Sequence, residues 1–137
     1  MSKKLSFKNA LNRAEKILTD KNRGLTLVKD AQNILSNKAI RSEKIQDVKI
    51  QLFTFIRLVK AYYKGEYRAI SVKSIVYTIA VLIYFVTPMD LVPDFIPLGG
   101  FLDDASLIIW LYQYLGLEMQ QFIEWESNLN QTQNAEL

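Results

Sequence analysis

Hydrophobic residues in the first half of the chain recur at spacings of three and four, which is the pattern of helices that bury one face. The pattern predicts a first helix over Ser6–Thr19, a break at Asn22–Gly24 followed by a short second helix, and a longer third helix over Ser42–Lys64. Gly65 can close the third helix, because glycine tolerates the left-handed conformation that ends many helices. These segments are expected to pack together as ordinary amphipathic helices.

The pattern changes at Ser74, where sixteen residues without a charge extend to Met89 and apolar side chains occupy every face of the predicted helix. A helix that is apolar all round is buried in protein or in lipid. Sixteen residues span about 24 Å, against roughly 30 Å of bilayer hydrocarbon. A start at Ile70, with the Lys73 ammonium reaching the interface, brings the length to about 30 Å, so this helix is at the limit for crossing a membrane.

A second apolar run, Ala105–Leu117, covers only thirteen residues. At about 20 Å it suits a buried, tilted or re-entrant helix better than a full span. The two runs predict a helical hairpin with arms near Ser71–Thr87 and Asp103–Gly116. The following tail is expected to be an amphipathic helix that frays from Asn128 onward.

The predicted fold class is therefore all-α, a small helical bundle with an apolar C-terminal helical hairpin joined by a Pro/Asp-rich turn. A chain of 137 residues fits one domain. Within it we distinguish a basic amphipathic helical region, residues 1–69, the apolar hairpin, residues 70–117, and an amphipathic helix with a frayed tail, residues 118–137.

Charge is distributed unevenly along the chain. All seventeen Lys and Arg residues lie at or before Lys73, together with six acids, and eight acids without a single Lys or Arg follow. Because residues 1–16 lack the apolar stretch of a secretory signal, the N-terminal region is expected in the cytoplasm. Lys60, Lys64, Arg68 and Lys73 directly precede the apolar helix, where they are predicted to contact anionic lipid headgroups. The alternatives are a solvated surface and, less favoured because acids are interspersed, nucleic-acid binding.

The chain contains neither cysteine nor histidine. Disulfides, thiol catalysis and thiolate metal sites are thereby excluded, and so are the usual general base and the commonest transition-metal ligand. No phosphate-binding loop, nucleophile elbow or zinc motif is present in the sequence. The sequence therefore predicts a protein without enzymatic activity and without a cofactor.

The segment between the two apolar runs carries an extended motif of prolines, glycine and aspartates. Its residues are Tyr84, Pro88, Asp90, Leu91, Val92, Pro93, Asp94, Phe95, Ile96, Pro97, Gly99, Asp103 and Asp104. Through this motif the chain resembles the YkvA-like family (DUF1232), a domain of unknown function, over Ile70–Leu111. The resemblance implies a membrane-associated helical hairpin, usually regarded as integral to the membrane, with no established activity.

Four carboxylates of the motif, Asp90, Asp94, Asp103 and Asp104, are candidate ligands for a divalent cation or candidate acid–base groups, since clustered oxygens suit Mg²⁺, Mn²⁺ or Ca²⁺. The structural interpretation is favoured. Asp103 and Asp104 stand where the cap and first turn of the second apolar helix belong, and the other two can accept hydrogen bonds from the NH groups of the turn.

Two models of function follow from these patterns. In the preferred model the hairpin enters the membrane, its acidic turn stays out of the hydrocarbon, and the acidic tail returns to dock on the N-terminal helices. The protein then has a structural or interaction role. Aromatic residues near the ends of the apolar runs fit interfacial belts in this model, and core packing accounts for them equally well. In the alternative the protein is a soluble bundle and Ser74–Met89 is its central core helix. A carboxylate–metal enzyme is a third and weaker interpretation.

Overall fold

A computed structural model describes residues 7–36, 43–91 and 107–135 of the chain. These residues form six helices, which confirms the all-α prediction. The helices are α1 (Phe7–Leu18), α2 (Lys21–Ser36), α3 (Glu43–Tyr63), α4 (Val72–Leu91), α5 (residues 107–114) and α6 (Gly116–Ala135).

The apolar helix α4 lies at the centre of the bundle, where α1, α2 and α3 all pack against it. From Ile75 to Val86 its side chains are buried, except for Tyr77 and Tyr84, which are half-buried. Protein therefore covers α4 over this stretch. Among the residues that the structure describes, no helix combines the length and the hydropathy needed to cross a membrane.

The predicted hairpin is present as an antiparallel contact between α4 and the α5–α6 segment. Ser74 near the start of α4 meets Glu118, and Tyr77, one turn later along α4, meets Tyr114, which is one turn earlier along the chain than Glu118. The inner face of α5 is buried, and its Tyr112 ring lies 5.9 Å from the ring of Phe55 on α3. The connection between the two arms lies outside the described residues.

The predicted break at Asn22–Gly24 is wrong, because α2 begins at Lys21 and includes all three residues. Asp20 precedes the helix and caps it: its Oδ1 accepts a hydrogen bond from the Arg23 N–H at 3.1 Å, and its carbonyl accepts one from the Gly24 N–H at 2.9 Å. Gly24 is needed for close packing rather than for a turn, since the ring of Tyr63 occupies the space that a Cβ at position 24 would take.

The end of α3 follows the sequence prediction. Gly65 has φ of +78°, and the Glu66 N–H donates to the Ala61 carbonyl at 2.9 Å, as in a Schellman motif. The last residue of α3, Tyr63, donates its hydroxyl hydrogen to the Ile17 carbonyl at 2.8 Å. The C-terminal ends of α1 and α3 are therefore joined directly.

Two helix ends lie further along the chain than the sequence predicted. The first arm of the hairpin was expected to stop at Thr87, but α4 continues through Pro88 to Leu91. A proline inside a helix removes the hydrogen bond that its N–H would donate and crowds the carbonyl four residues earlier, but α4 includes Pro88 in its last turn. Likewise, α6 continues to Ala135, past the predicted fraying at Asn128.

Candidate membrane-contact surface

The four cations expected at the lipid surface do not form one cluster. Lys60 in the last turn of α3 and Lys64 just after the helix end line a groove between α3 and α6. Arg68 lies over the ring of Tyr62, with its guanidinium carbon 4.2 Å from the ring centroid. Because Tyr62 is two residues from each of these lysines, it faces a different side of α3.

Lys60 and Lys64 border a groove of about 580 Å³, whose opposite wall carries Phe122 and Trp125 of α6. Within the groove Arg57 forms a two-point ion pair with Glu126, with Nε to Oε2 at 2.8 Å and a second guanidinium nitrogen to Oε1 at 3.1 Å. The acidic C-terminal helix therefore contacts the basic N-terminal region through this ion pair.

Lys73 belongs to a different surface, formed by α4 and α5. Its Nζ lies 5.8 Å from the centroid of the Tyr77 ring, within range of a cation–π interaction. The Tyr77 ring lies 6.1 Å from that of Tyr114, which in turn stacks on Trp110 with centroids 5.3 Å apart and planes 16° apart. A cation and three aromatic rings thus follow one another across the hairpin.

We call Tyr77, Trp110, Tyr114 and Leu117 the aromatic stripe. Its α5–α6 members are exposed, with Trp110 45 %, Tyr114 52 % and Leu117 69 % accessible to solvent. They recur at spacings of four and three, so they share one face, while the opposite face of α5 is buried. From the sequence alone, these aromatic residues fit interfacial belts and core packing equally well. The structure separates them, since Tyr63 and Tyr67 are buried and Trp110 and Tyr114 are not.

A polar cluster that the sequence analysis missed fixes the position of the stripe. The Glu118 carboxylate accepts a hydrogen bond from the Ser71 N–H at 3.1 Å and another from the Ser74 hydroxyl. Ser71 also caps α4, its Oγ accepting from the Ser74 N–H at 3.1 Å. The negative carboxylate at a helix N-terminus is favourable electrostatically. In the sequence, only the presence of Ser71 just before the apolar run indicates this cap.

The connection between α3 and α4 is held by aromatic contacts on the inner side of this cluster. The Tyr67 ring lies 5.2 Å from Phe122 and 5.1 Å from Trp125. Burial, and then the negative charge of Glu118, raise the pKa of the Tyr67 hydroxyl. The neutral phenol is therefore favoured at this position, and α6 is anchored at both the Tyr67 and the Glu118 contacts.

Most of the Pro/Asp motif lies outside the described residues. Pro88, Asp90 and Leu91 belong to the last turn of α4. The motif residues outside the described ranges are Val92, Pro93, Asp94, Phe95, Ile96, Pro97, Gly99, Asp103 and Asp104. Over the ranges that are described, no three His, Cys, Asp or Glu residues come together in a way that could hold a metal ion. The choice between capping and cation binding by these aspartates stays a prediction.

Comparison with known proteins returns both a family and a relative. Residues 74–110, which include most of α4 and the start of the described part of α5, match the family described as "Protein of unknown function (DUF1232)". The chain is 32 % identical over 89 residues to the "Uncharacterized membrane protein YkvA" of Bacillus subtilis (strain 168), an alignment that covers 64 % of this chain and 84 % of that protein. No solved structure matches the chain significantly.

Proposed function

The chain belongs to the YkvA-like family of unknown function (DUF1232), and from this premise we propose that it is a membrane-associated helical module with a structural or interaction role. In this proposal the protein rests on the bilayer surface through the aromatic stripe. The observation that carries the proposal is the exposed run of Trp110, Tyr114 and Leu117 beside Lys73.

The composition of the stripe supports contact with the interfacial layer of a bilayer. Trp and Tyr concentrate at that level because their rings are apolar and their N–H or O–H groups remain hydrogen-bonded. Contiguous exposed apolar side chains often mark an interaction site. A helix face of this kind enters the headgroup region by roughly 5–10 Å without crossing the hydrocarbon. This depth of contact leaves α4 inside the bundle.

Electrostatic attraction supports the cytoplasmic leaflet as the binding surface, because anionic lipids make that leaflet negative. Lys73 adjoins the stripe directly, so it is the cation that contacts a headgroup at the bound surface in this model. Lys60, Lys64 and Arg68 contribute to attraction at longer range as part of the basic N-terminal half, each weakened by salt. The relative in Bacillus subtilis is named as a membrane protein, which agrees with this assignment.

Vesicle flotation tests the proposal with a matched pair of variants. The stripe variant carries Trp110→Ser, Tyr114→Ser and Leu117→Ser, and the control carries Ile50→Ser, which alters an apolar side chain that is 75 % exposed on α3. We expect the parent and the control to float with vesicles of phosphatidylglycerol and phosphatidylcholine. The stripe variant is expected to lose at least about tenfold in partitioning, since each large apolar side chain contributes about 1.5–3 kcal/mol when fully buried.

Tryptophan fluorescence provides a second readout at the surface itself. The chain has two tryptophans, so a Trp125→Phe background leaves Trp110 as the reporter. Its emission should shift to the blue on addition of vesicles, because the indole leaves water. A parent protein that stays unbound at low salt, with unchanged Trp110 emission, would refute the proposal and favour a soluble helical bundle that acts through protein contacts.

A further inference from the structure

A second concave site lies on another side of α4 from the aromatic stripe. It is a cleft of about 280 Å³ between α1, α2 and the second half of α4. Ile83 and Val86 of α4 line its floor together with Ile17 and Leu27. Val86 comes nine residues, about two and a half turns, after Tyr77, so it points away from the stripe. Contact of the stripe with a membrane therefore leaves this cleft open.

Two arginines from different helices border the cleft, Arg13 on α1 and Arg23 on α2. In the described part of the chain neither guanidinium forms an ion pair with a carboxylate, in contrast to Arg57. The backbone N–H of Arg23 is already taken by Asp20, so the positive character of the cleft comes from side chains. Two arginines that line one cavity are well suited to phosphate, because each guanidinium can donate two parallel hydrogen bonds.

The other residues that line the cleft can select for the part of a ligand that is not phosphate. Asp30 also lines the cleft, and its carboxylate can accept a hydrogen bond from a hydroxyl or an ammonium group. Thr26 donates its hydroxyl hydrogen to the Asn22 carbonyl at 2.9 Å, which leaves its oxygen free to accept. The apolar floor suits a short carbon skeleton. The volume is close to the lower limit of small-molecule sites, which begin at roughly 300 Å³.

We propose that this cleft binds a small organic phosphate that carries a hydroxyl or amino group, with the phosphate held between Arg13 and Arg23 and the polar end held by Asp30. Such a phosphate exists as a free metabolite and as the headgroup of a phospholipid. The shared chemistry is what the cleft recognises, and the two sources are separated by experiment.

Calorimetric titration of the full chain with glycerol 3-phosphate tests the site. We expect saturable binding that weakens at least tenfold in Arg13→Gln and in Arg23→Gln, because each loses charge-assisted hydrogen bonds. Lys16→Gln and Lys29→Gln are matched controls, since they remove a charge from an exposed position on the same two helices outside the cleft. Asp30→Asn should weaken the binding of glycerol 3-phosphate more than the binding of inorganic phosphate. Absence of binding by the parent, or an equal loss in the lysine controls, would overturn the proposal.

Flotation with phosphatidylglycerol vesicles identifies the source of the phosphate. If the arginine variants lose both glycerol 3-phosphate binding and flotation, the site holds a lipid headgroup. If they lose only glycerol 3-phosphate binding, the ligand is a free phosphate, and the site is equally supported. The stripe variant should retain glycerol 3-phosphate binding, so failure of the membrane proposal and failure of this one give different results.

Discussion

At the scale of single residues, Tyr63 connects three helices through one side chain. Its hydroxyl bonds the last turn of α1, its ring fills the space beside Gly24 of α2, and its backbone ends α3. Gly24→Ala should therefore destabilise the fold by about 1–3 kcal/mol through overpacking, although alanine is the better helix former. Urea unfolding measures the change. Gly116→Ala is the control, because a Cβ there meets nothing within 4 Å and should be neutral or stabilising.

The same tyrosine makes stability depend on pH in the alkaline range. Burial, followed by the nearby Tyr62 and Asp20, raises the pKa of Tyr63 from 10.0 to about 12. As the pH rises, the Tyr63 hydroxyl loses its proton first in the unfolded chain. The contribution of this hydroxyl to stability is therefore fully present below pH 10 and is lost as the pH rises toward 12. The expected slope is at most about 1.4 kcal/mol per pH unit.

Tyr63→Phe checks this assignment by urea titrations across the alkaline range. The variant should lose about 1 kcal/mol near neutral pH, where the bond to the Ile17 carbonyl is missing, and its stability should fall less steeply than that of the parent above pH 10. Parallel pH profiles for the two proteins would show that another group governs the alkaline loss.

At the scale of helices, the hairpin is held at its open end by the Glu118 carboxylate. Glu118→Ala removes the acceptor for the Ser71 N–H and the Ser74 hydroxyl, and Ser74 is buried. We expect a loss of about 1–3 kcal/mol in the free energy of unfolding, because the buried Ser74 hydroxyl then loses its charged acceptor. Glu124→Ala, at an exposed position six residues further along α6, should change stability by less than about 0.5 kcal/mol. Equal effects of the two substitutions would contradict an anchoring role for Glu118.

The helices themselves were predictable from the sequence, whereas several of their ends were not. Apolar spacing identified α1 and α3, because a stripe of many residues averages over local exceptions, and α4 was identified as an uncharged run that is apolar on every face. The predicted break that included Gly24 was wrong, because this glycine makes room for the ring of Tyr63. No local sequence pattern reveals such a tertiary contact. The end of α4 was predicted at Thr87, directly before a proline, whereas α4 includes Pro88 in its last turn and ends at Leu91.

The candidate surface was only partly predictable for a similar reason. Aromatic residues and cations were recognised as interfacial types, but membership of a surface depends on which helices are neighbours. The contact between Tyr77 and Tyr114 joins residues far apart in the chain, and Lys60 and Lys73 separate onto different surfaces. Composition gives the kinds of side chain, and only the packing of α4 against α5 brings a particular set together.

At the scale of the whole molecule, the bundle and a lipid-inserted hairpin would place α4 in different environments. Within the bundle, α1 packs against α4, and the buried side chains of α1 are Ala10, Ala14 and Ile17. The small alanine side chains allow close approach of the two helices. A hairpin that inserted into lipid would have to leave these contacts and expose the apolar face of α1. Surface binding through the stripe requires no such change. The two modes of membrane association should therefore differ in the hydrogen exchange of the backbone amides.

Hydrogen exchange with and without phosphatidylglycerol vesicles distinguishes the two modes. Without vesicles, the amides of Ile75–Val86 should exchange most slowly, through global unfolding, because they lie in the most buried helix. With vesicles, we expect added protection around the stripe in α5 and the start of α6, and unchanged exchange in α1. Faster exchange in α1 on vesicle binding would instead mean that α4 has left the bundle, and the aromatic stripe would then describe only the first stage of insertion.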